Sequence, residues 1–217
     1  MRLYIDSIVK NEIVEAMGSG FVYGVTSNPF LFNSNSKVHL KNIVEELIPY
    51  VGNEFHVQVP GRDSDEYVKN ALTIFNIDPK KLVIKIPMHS EGVKAMKVLK
   101  DVGVRVTATA VTNVVQGVVA ALLGVDYVAP FVSRVDEAGY NGVEVVRQLA
   151  EVYRVHRVKT MIIAASIRTP TQLVNAFRAG ADCATVKYSL FKSVVESATS
   201  NKIISQMNEI WRGVSVE

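Results

Sequence analysis

Short apolar runs alternate with helical patterns along the whole chain. This alternation constrains the fold most, because strands separated by amphipathic helices pair in parallel as βα units. The period-2 runs predict strands at Arg2–Asp6, Phe21–Thr26, Phe55–Val59, Leu82–Ile86, Arg105–Ala110, Tyr127–Phe131, Thr160–Ala165 and Cys183–Val186. Helical patterns fill the intervals at Lys10–Met17, Val38–Tyr50, Ser64–Phe75, Glu91–Asp101, Asn113–Leu123, Gly142–Tyr153, Pro170–Ala179 and Leu190–Thr199. A further amphipathic stretch, Ile203–Trp211, carries Ile203, Ile204, Met207, Ile210 and Trp211 on one side.

Eight strands and eight helices predict an α/β fold, a TIM-type (βα)8 barrel with an extra C-terminal helix. No linker rich in Gly, Pro or Ser divides the series, so residues 1–217 are expected to form a single barrel domain, with 200–217 as a helical extension. A doubly wound open sheet is the competing arrangement, but no GxGxxG turn follows the first strand to mark a dinucleotide site.

Charge and cysteine content exclude several function classes. The 24 basic and 21 acidic residues are scattered and leave a formal charge of +3, too small an excess for a nucleic-acid surface. Arg154–Lys159, the densest basic stretch, reads as a solvated helix end. The one cysteine, Cys183, excludes an internal disulfide and fits a reducing, cytoplasmic setting. No span reaches the ~20 apolar residues of a membrane helix, and Val114–Val125 reads as a buried helix of a soluble protein. Met1–Asp6 is already strand-like and lacks the regions of a signal peptide. His56 and His89 have no third partner at metal-ligand spacing, so no metal and no cofactor are expected.

Lys85 stands alone as a cation within Leu82, Val83, Ile84, Ile86 and Pro87. Burial disfavours the ammonium, lowers the amine pKa and so prepares a nucleophile able to form a Schiff base with a carbonyl. A lysine that snorkels to water or pairs with a carboxylate is the structural alternative.

Strand parity gathers further polar residues. Asp6 shares a face with Tyr4, Gln58 with His56, Lys85 with Val83, Thr109 with Thr107, Phe131 with Ala129 and Arg168 with Ser166, while Ile5, Val57, Ile84, Ile86 and Ala165 take the other parity. These polar residues also fall at strand C-terminal ends, where a TIM barrel builds its active site.

The segments Leu3–Asp6 (LYID), Gly24–Pro29 (GVTSNP), Val83–Pro87 (VIKIP), Tyr127–Arg134 (YVAPFVSR) and Ala164–Pro170 (AASIRTP) together resemble the small transaldolase and fructose-6-phosphate aldolase family. The likeness runs in order over almost the whole chain. It implies that Lys85 forms a Schiff base with C2 of fructose 6-phosphate and that Asp6 takes the C4 hydroxyl proton as the C3–C4 bond breaks. Asn28, with Thr26 and Thr107, is implied to bind the dihydroxyacetone unit. Arg134, Ser166 and Arg168 would bind the phosphate, a role suited to arginine forks and a hydroxyl. The family's ring-like oligomers, pentamers or decamers, imply a homo-oligomer.

Residues handling the catalytic water give a mixed pattern. Gln58 and Thr109 match the aldolase type, and Gln58 can orient water without exchanging a proton. Phe131 matches the transaldolase type, and Thr107 stands where transaldolases tend to carry asparagine. The balance favours a class I aldolase giving dihydroxyacetone and glyceraldehyde 3-phosphate, with a transaldolase of the pentose phosphate pathway as the alternative. Two other readings are a non-catalytic sugar-phosphate-binding barrel and a deoxyribose-phosphate type of aldolase.

Overall fold

The computed structural model describes residues 1–32 and 38–215. Eight parallel strands close into one barrel in sequence order: β1 Arg2–Asp6, β2 Val22–Thr26, β3 Glu54–Gln58, β4 Leu82–Pro87, β5 Val106–Val111, β6 Tyr127–Pro130, β7 Met161–Ile167 and β8 Cys183–Lys187. Around them lie α1 Lys10–Gly18, α2 Leu40–Leu47, α3 Ser64–Phe75, α4 Ser90–Asp101, α5 Val114–Leu122, α6 Val132–Glu137, α7 Gly142–His156, α8 Pro170–Arg178 and α9 Tyr188–Val195, followed by α10 Ala198–Trp211. This is the TIM-type (βα)8 arrangement with an added C-terminal helix. Residues 216 and 217 of the expected extension lie outside the described residues.

Helix starts follow local chemistry. Asp63, Asn113, Asn141 and Thr169 each accept a hydrogen bond from the backbone N–H three residues on, which satisfies a donor the helix leaves free. Pro170, directly after Thr169, occupies a first-turn position that needs no N–H.

Two apolar layers separate by strand parity. Ile5, Val25, Val57, Ile84, Ile86, Val106 and Ala108 face the helices, while Tyr4, Val83, Tyr127, Ala129, Ile163, Ala165 and Cys183 fill the barrel. Gly24 makes room for Tyr4: a Cβ there would meet the Glu54 carbonyl oxygen at 2.3 Å and the Tyr4 ring at 3.1 Å.

Several expectations need correction. Ala165 points into the barrel, not toward the helices. Ala165 keeps the inward parity of Ile163. The alternation breaks only after it, at Ser166 with its φ of 58°, where the β7–β8 register shifts between Ala164 and Ile167, so the parity of Ser166 cannot be carried back to Ala165. Phe131 is not part of β6; it precedes α6, a helix absent from the sequence reading, and bridges to Ala165. In α5 only Gly117 and Ala120 are buried, whereas Val115 and Leu122 are exposed, so this helix is not the buried one its composition suggested.

Candidate active site

A cavity of about 110 Å³ opens at the C-terminal ends of the strands. Seven of the residues singled out from the sequence line it: Asp6, Asn28, Lys85, Phe131, Arg134, Ser166 and Arg168. Thr26, Gln58, Thr107 and Thr109 do not reach its wall. A larger groove of about 680 Å³, lined by Arg147, Arg154, Arg157 and Arg178, lies at the opposite barrel end and contains none of them.

β4 delivers Lys85 between Gln58 of β3 and Thr107 of β5. The side chain is only 4% exposed, and Nζ donates to the Ser27 carbonyl oxygen at 2.8 Å. No carboxylate forms an ion pair with it among the described residues, so it neither snorkels to water nor sits in a salt bridge. Burial lowers the amine pKa, and Asp6 opposes that shift through its charge.

Asp6 ends β1 beside Thr26 of β2. Thr26 Oγ1 donates to its Oδ1 at 2.8 Å and Asn28 Nδ2 donates to its Oδ2 at 2.7 Å. Burial raises the carboxyl pKa, offset in part by Lys85, by these two hydrogen bonds and by Lys187. Asn28 also accepts from the Phe30 N–H at 3.0 Å, so the Asn-Pro turn and the site contact coexist in one side chain.

Beneath Lys85 lies a buried polar floor. Glu54 Oε2 accepts from Tyr4 at 2.7 Å and Tyr127 at 2.8 Å, and Oε1 accepts from Arg105 at 2.9 Å. His56 Nε2 is 3.3 Å from the same Oε2, and its Nδ1 is 2.9 Å from Thr107 Oγ1. Burial alone would push Glu54 up, but hydrogen bonds from His56, Tyr4 and Tyr127 outweigh it and hold the carboxyl at about 2. An ionised Glu54 accepts only, so Nε2 carries the His56 proton and Nδ1 takes the Thr107 hydroxyl proton. Burial lowers the His56 pKa and so disfavours its charged form, against the pull of Glu54. The tyrosine rings meet His56 edge-on at centroid distances of 5.0 Å and 4.7 Å and fix its plane. His56 is thus a structural histidine, and Cys183 is a core thiol pushed up to about 12, mainly by burial.

Thr109 is fully buried, with no partner for its hydroxyl among the described residues, and its neighbour Ala110 has a φ of 57°. At the rim, Arg134 donates to Glu137 at 3.0 Å and Arg168 pairs with the same carboxylate. Arg134 also lies over the Phe30 ring, 5.5 Å from its centroid.

Phe30, Ala165, Ile167, Thr185 and Lys187 complete the lining and were missed from the sequence. Thr185 and Lys187 share the inward parity of Cys183, but the expected strand stopped at Val186, one residue short of the cation. Among the described residues, no group of three His, Cys, Asp or Glu side chains could hold a metal ion, and no helix is long and apolar enough to cross a membrane.

Residues 3–215 match the family model described as Transaldolase/Fructose-6-phosphate aldolase. The chain is 35% identical over 215 residues to a protein of Caldicellulosiruptor saccharolyticus named "Probable transaldolase", covering 99% of this chain and 98% of that one. A protein of Clostridium perfringens with the same name is 34% identical over 213 residues, covering 96% and 98%. Among solved structures, inosine 5'-monophosphate dehydrogenase from Legionella pneumophila superposes with a TM-score of 0.63 at 14% identity. That match covers 88% of this chain but only 58% of the dehydrogenase, and it speaks for the barrel alone. On the whole-length match of motif, sequence and barrel, the chain belongs to the transaldolase and fructose-6-phosphate aldolase family of enzymes.

Proposed function

We propose that the protein is a Schiff-base aldolase acting on fructose 6-phosphate. One observation carries this reading: a lysine amine, buried and without an ion pair, faces the same small cavity as a carboxylate whose two oxygens are both held in place. Lys85 attacks the C2 ketone, loss of water leaves an iminium, and Asp6 receives the C4 hydroxyl proton as the C3–C4 electron pair moves toward the iminium nitrogen. Glyceraldehyde 3-phosphate departs, the enamine takes a proton at C3, and hydrolysis of the resulting iminium releases dihydroxyacetone and frees Lys85.

Gln58 and the unpartnered Thr109 hydroxyl are suited to holding a water close to Lys85, which supports the aldolase. Arg134, Ser166 and Arg168 form the phosphate side of the cavity, joined by Lys187. Phosphate would replace Glu137 as the partner of the two arginines.

A transaldolase that passes the dihydroxyacetone unit to an aldose phosphate is the second reading. Phe131 favours it, because it lines the cavity without a hydroxyl to assist hydrolysis, as do the relatives' names. The exposed face of α10, with Ile204, Met207, Ile210 and Trp211, supports a homo-oligomer. Incubating the protein with fructose 6-phosphate, with and without erythrose 4-phosphate, separates the readings. Free dihydroxyacetone without the acceptor is expected. Sedoheptulose 7-phosphate formed only in its presence would assign the transaldolase.

A further inference from the structure

Three oxygen atoms are joined by hydrogen bonds across the neighbouring strands β8, β1 and β2 beside the cavity. Asp6 of β1 and Thr185 of β8 both line it, and Thr26 of β2, almost wholly buried, joins them from behind. Thr26 Oγ1 lies 2.8 Å from Asp6 Oδ1 and 2.7 Å from Thr185 Oγ1. When Asp6 is ionised, as a proton acceptor has to be, it has no proton to give; the Thr26 proton then goes to Asp6, and Thr185 supplies the proton of the second bond. Thr185 lines the cavity, and its oxygen, having given its proton to Thr26, keeps lone pairs with which to accept another.

We propose that Thr185 is the cavity-side port of a hydroxyl relay to Asp6; this rests on the aldol reading above. As the substrate's C4 O–H bond breaks, its proton passes to Thr185 Oγ1, the Thr185 proton to Thr26 and the Thr26 proton to Asp6 Oδ1. The C3–C4 electron pair moves to the iminium on Lys85, giving a neutral enamine and the departing aldehyde. Every hydroxyl in the line now points the opposite way, so the relay is set to run backwards without any rotation. The proton returns from Asp6 through Thr26 and Thr185, either to the enamine carbon before hydrolysis or to the oxygen of an incoming aldehyde. Thr185 has a role in this scheme that neither a packing residue nor a simple phosphate contact would have.

The test uses fructose 6-phosphate and single-turnover cleavage in mixtures of light and heavy water. The native protein should give a bowed dependence on deuterium fraction, the mark of several protons moving together; a straight line overturns the relay. Thr185→Val should cleave about a hundred-fold more slowly, the lower end of what a positioned proton-transfer group supplies. Its KM and its borohydride-trapped adduct on Lys85 should match the native protein, and Thr185→Ser should restore most of the rate. A folded Thr185→Val protein that cleaves at the native rate also overturns the relay. If that variant fails to fold, as judged by thermal melting, the deuterium dependence of the native protein and the Thr185→Ser rate decide. Absence of any adduct on native Lys85 would instead remove the aldol reading itself.

Discussion

Lys85 and the rim arginines show which residue-level readings survive folding. A lone cation in an apolar strand run has few resting places, and the one it finds is a backbone carbonyl at the cavity floor. Arginine is less constrained, since it works on any exposed surface. Arg134 and Arg168 do line the cavity, but Glu137 holds both, a pairing that a phosphate would have to displace under the proposed function. Replacing Arg168 with Ala should raise KM for fructose 6-phosphate about ten-fold, the equivalent of one charge-assisted hydrogen bond of about 1.5 kcal/mol. Condensation of unphosphorylated glyceraldehyde with dihydroxyacetone should be little changed. Steady-state kinetics with the two substrates checks this; an equal loss on both would place Arg168 outside phosphate recognition. Lys187 escaped the sequence reading because a strand's last residue has no following apolar neighbour to mark its parity.

At the level of strands, alternation was readable wherever the backbone stays extended. It failed beside Ser166, which takes a positive φ, a conformation that costs a non-glycine residue about 1 kcal/mol or more. Such a residue breaks the parity at its own position, so the facing of Ser166 and Arg168 could not be counted back to Ala165, which stays inward with Ile163. The serine side chain does not advertise the bend. Likewise the floor under Lys85 could not be read, because Glu54, His56, Thr107, Tyr4, Tyr127 and Arg105 meet only when β1, β3, β5 and β6 close. Removing one member leaves buried charges and donors unpaired, so Glu54→Ala should lower stability by about 3 kcal/mol, measurable by denaturant unfolding. The acid response follows from Glu54 itself. Its carboxyl is held at about 2 in the folded protein, below its value in the unfolded chain, ~4.3. Its contribution is therefore complete above that unfolded value and disappears as pH falls toward 2. Acid unfolding of the native protein should be steeper across that window than that of Glu54→Gln. Parallel curves would deny the floor this role.

Over the whole molecule, the barrel was legible because eight repeats of one pattern leave few other ways to close a parallel sheet. α10 is different: its periodicity defined an apolar face, but no residue of the helix is buried against the barrel. A face carrying Ile204, Ile210 and Trp211 is expected to be covered by a neighbouring copy. Light scattering should report several chains per particle for the native protein and single chains for an Ile204→Glu, Trp211→Glu variant; a monomeric native protein would contradict this. The proposed activity depends on the chemistry of one amine, and mass spectrometry after borohydride reduction in the presence of fructose 6-phosphate examines that amine directly. A reduced dihydroxyacetone or hexose phosphate adduct on the peptide containing Lys85, absent from Lys85→Met, is the predicted result. An unmodified Lys85, or cleavage that persists in Lys85→Met, would contradict it.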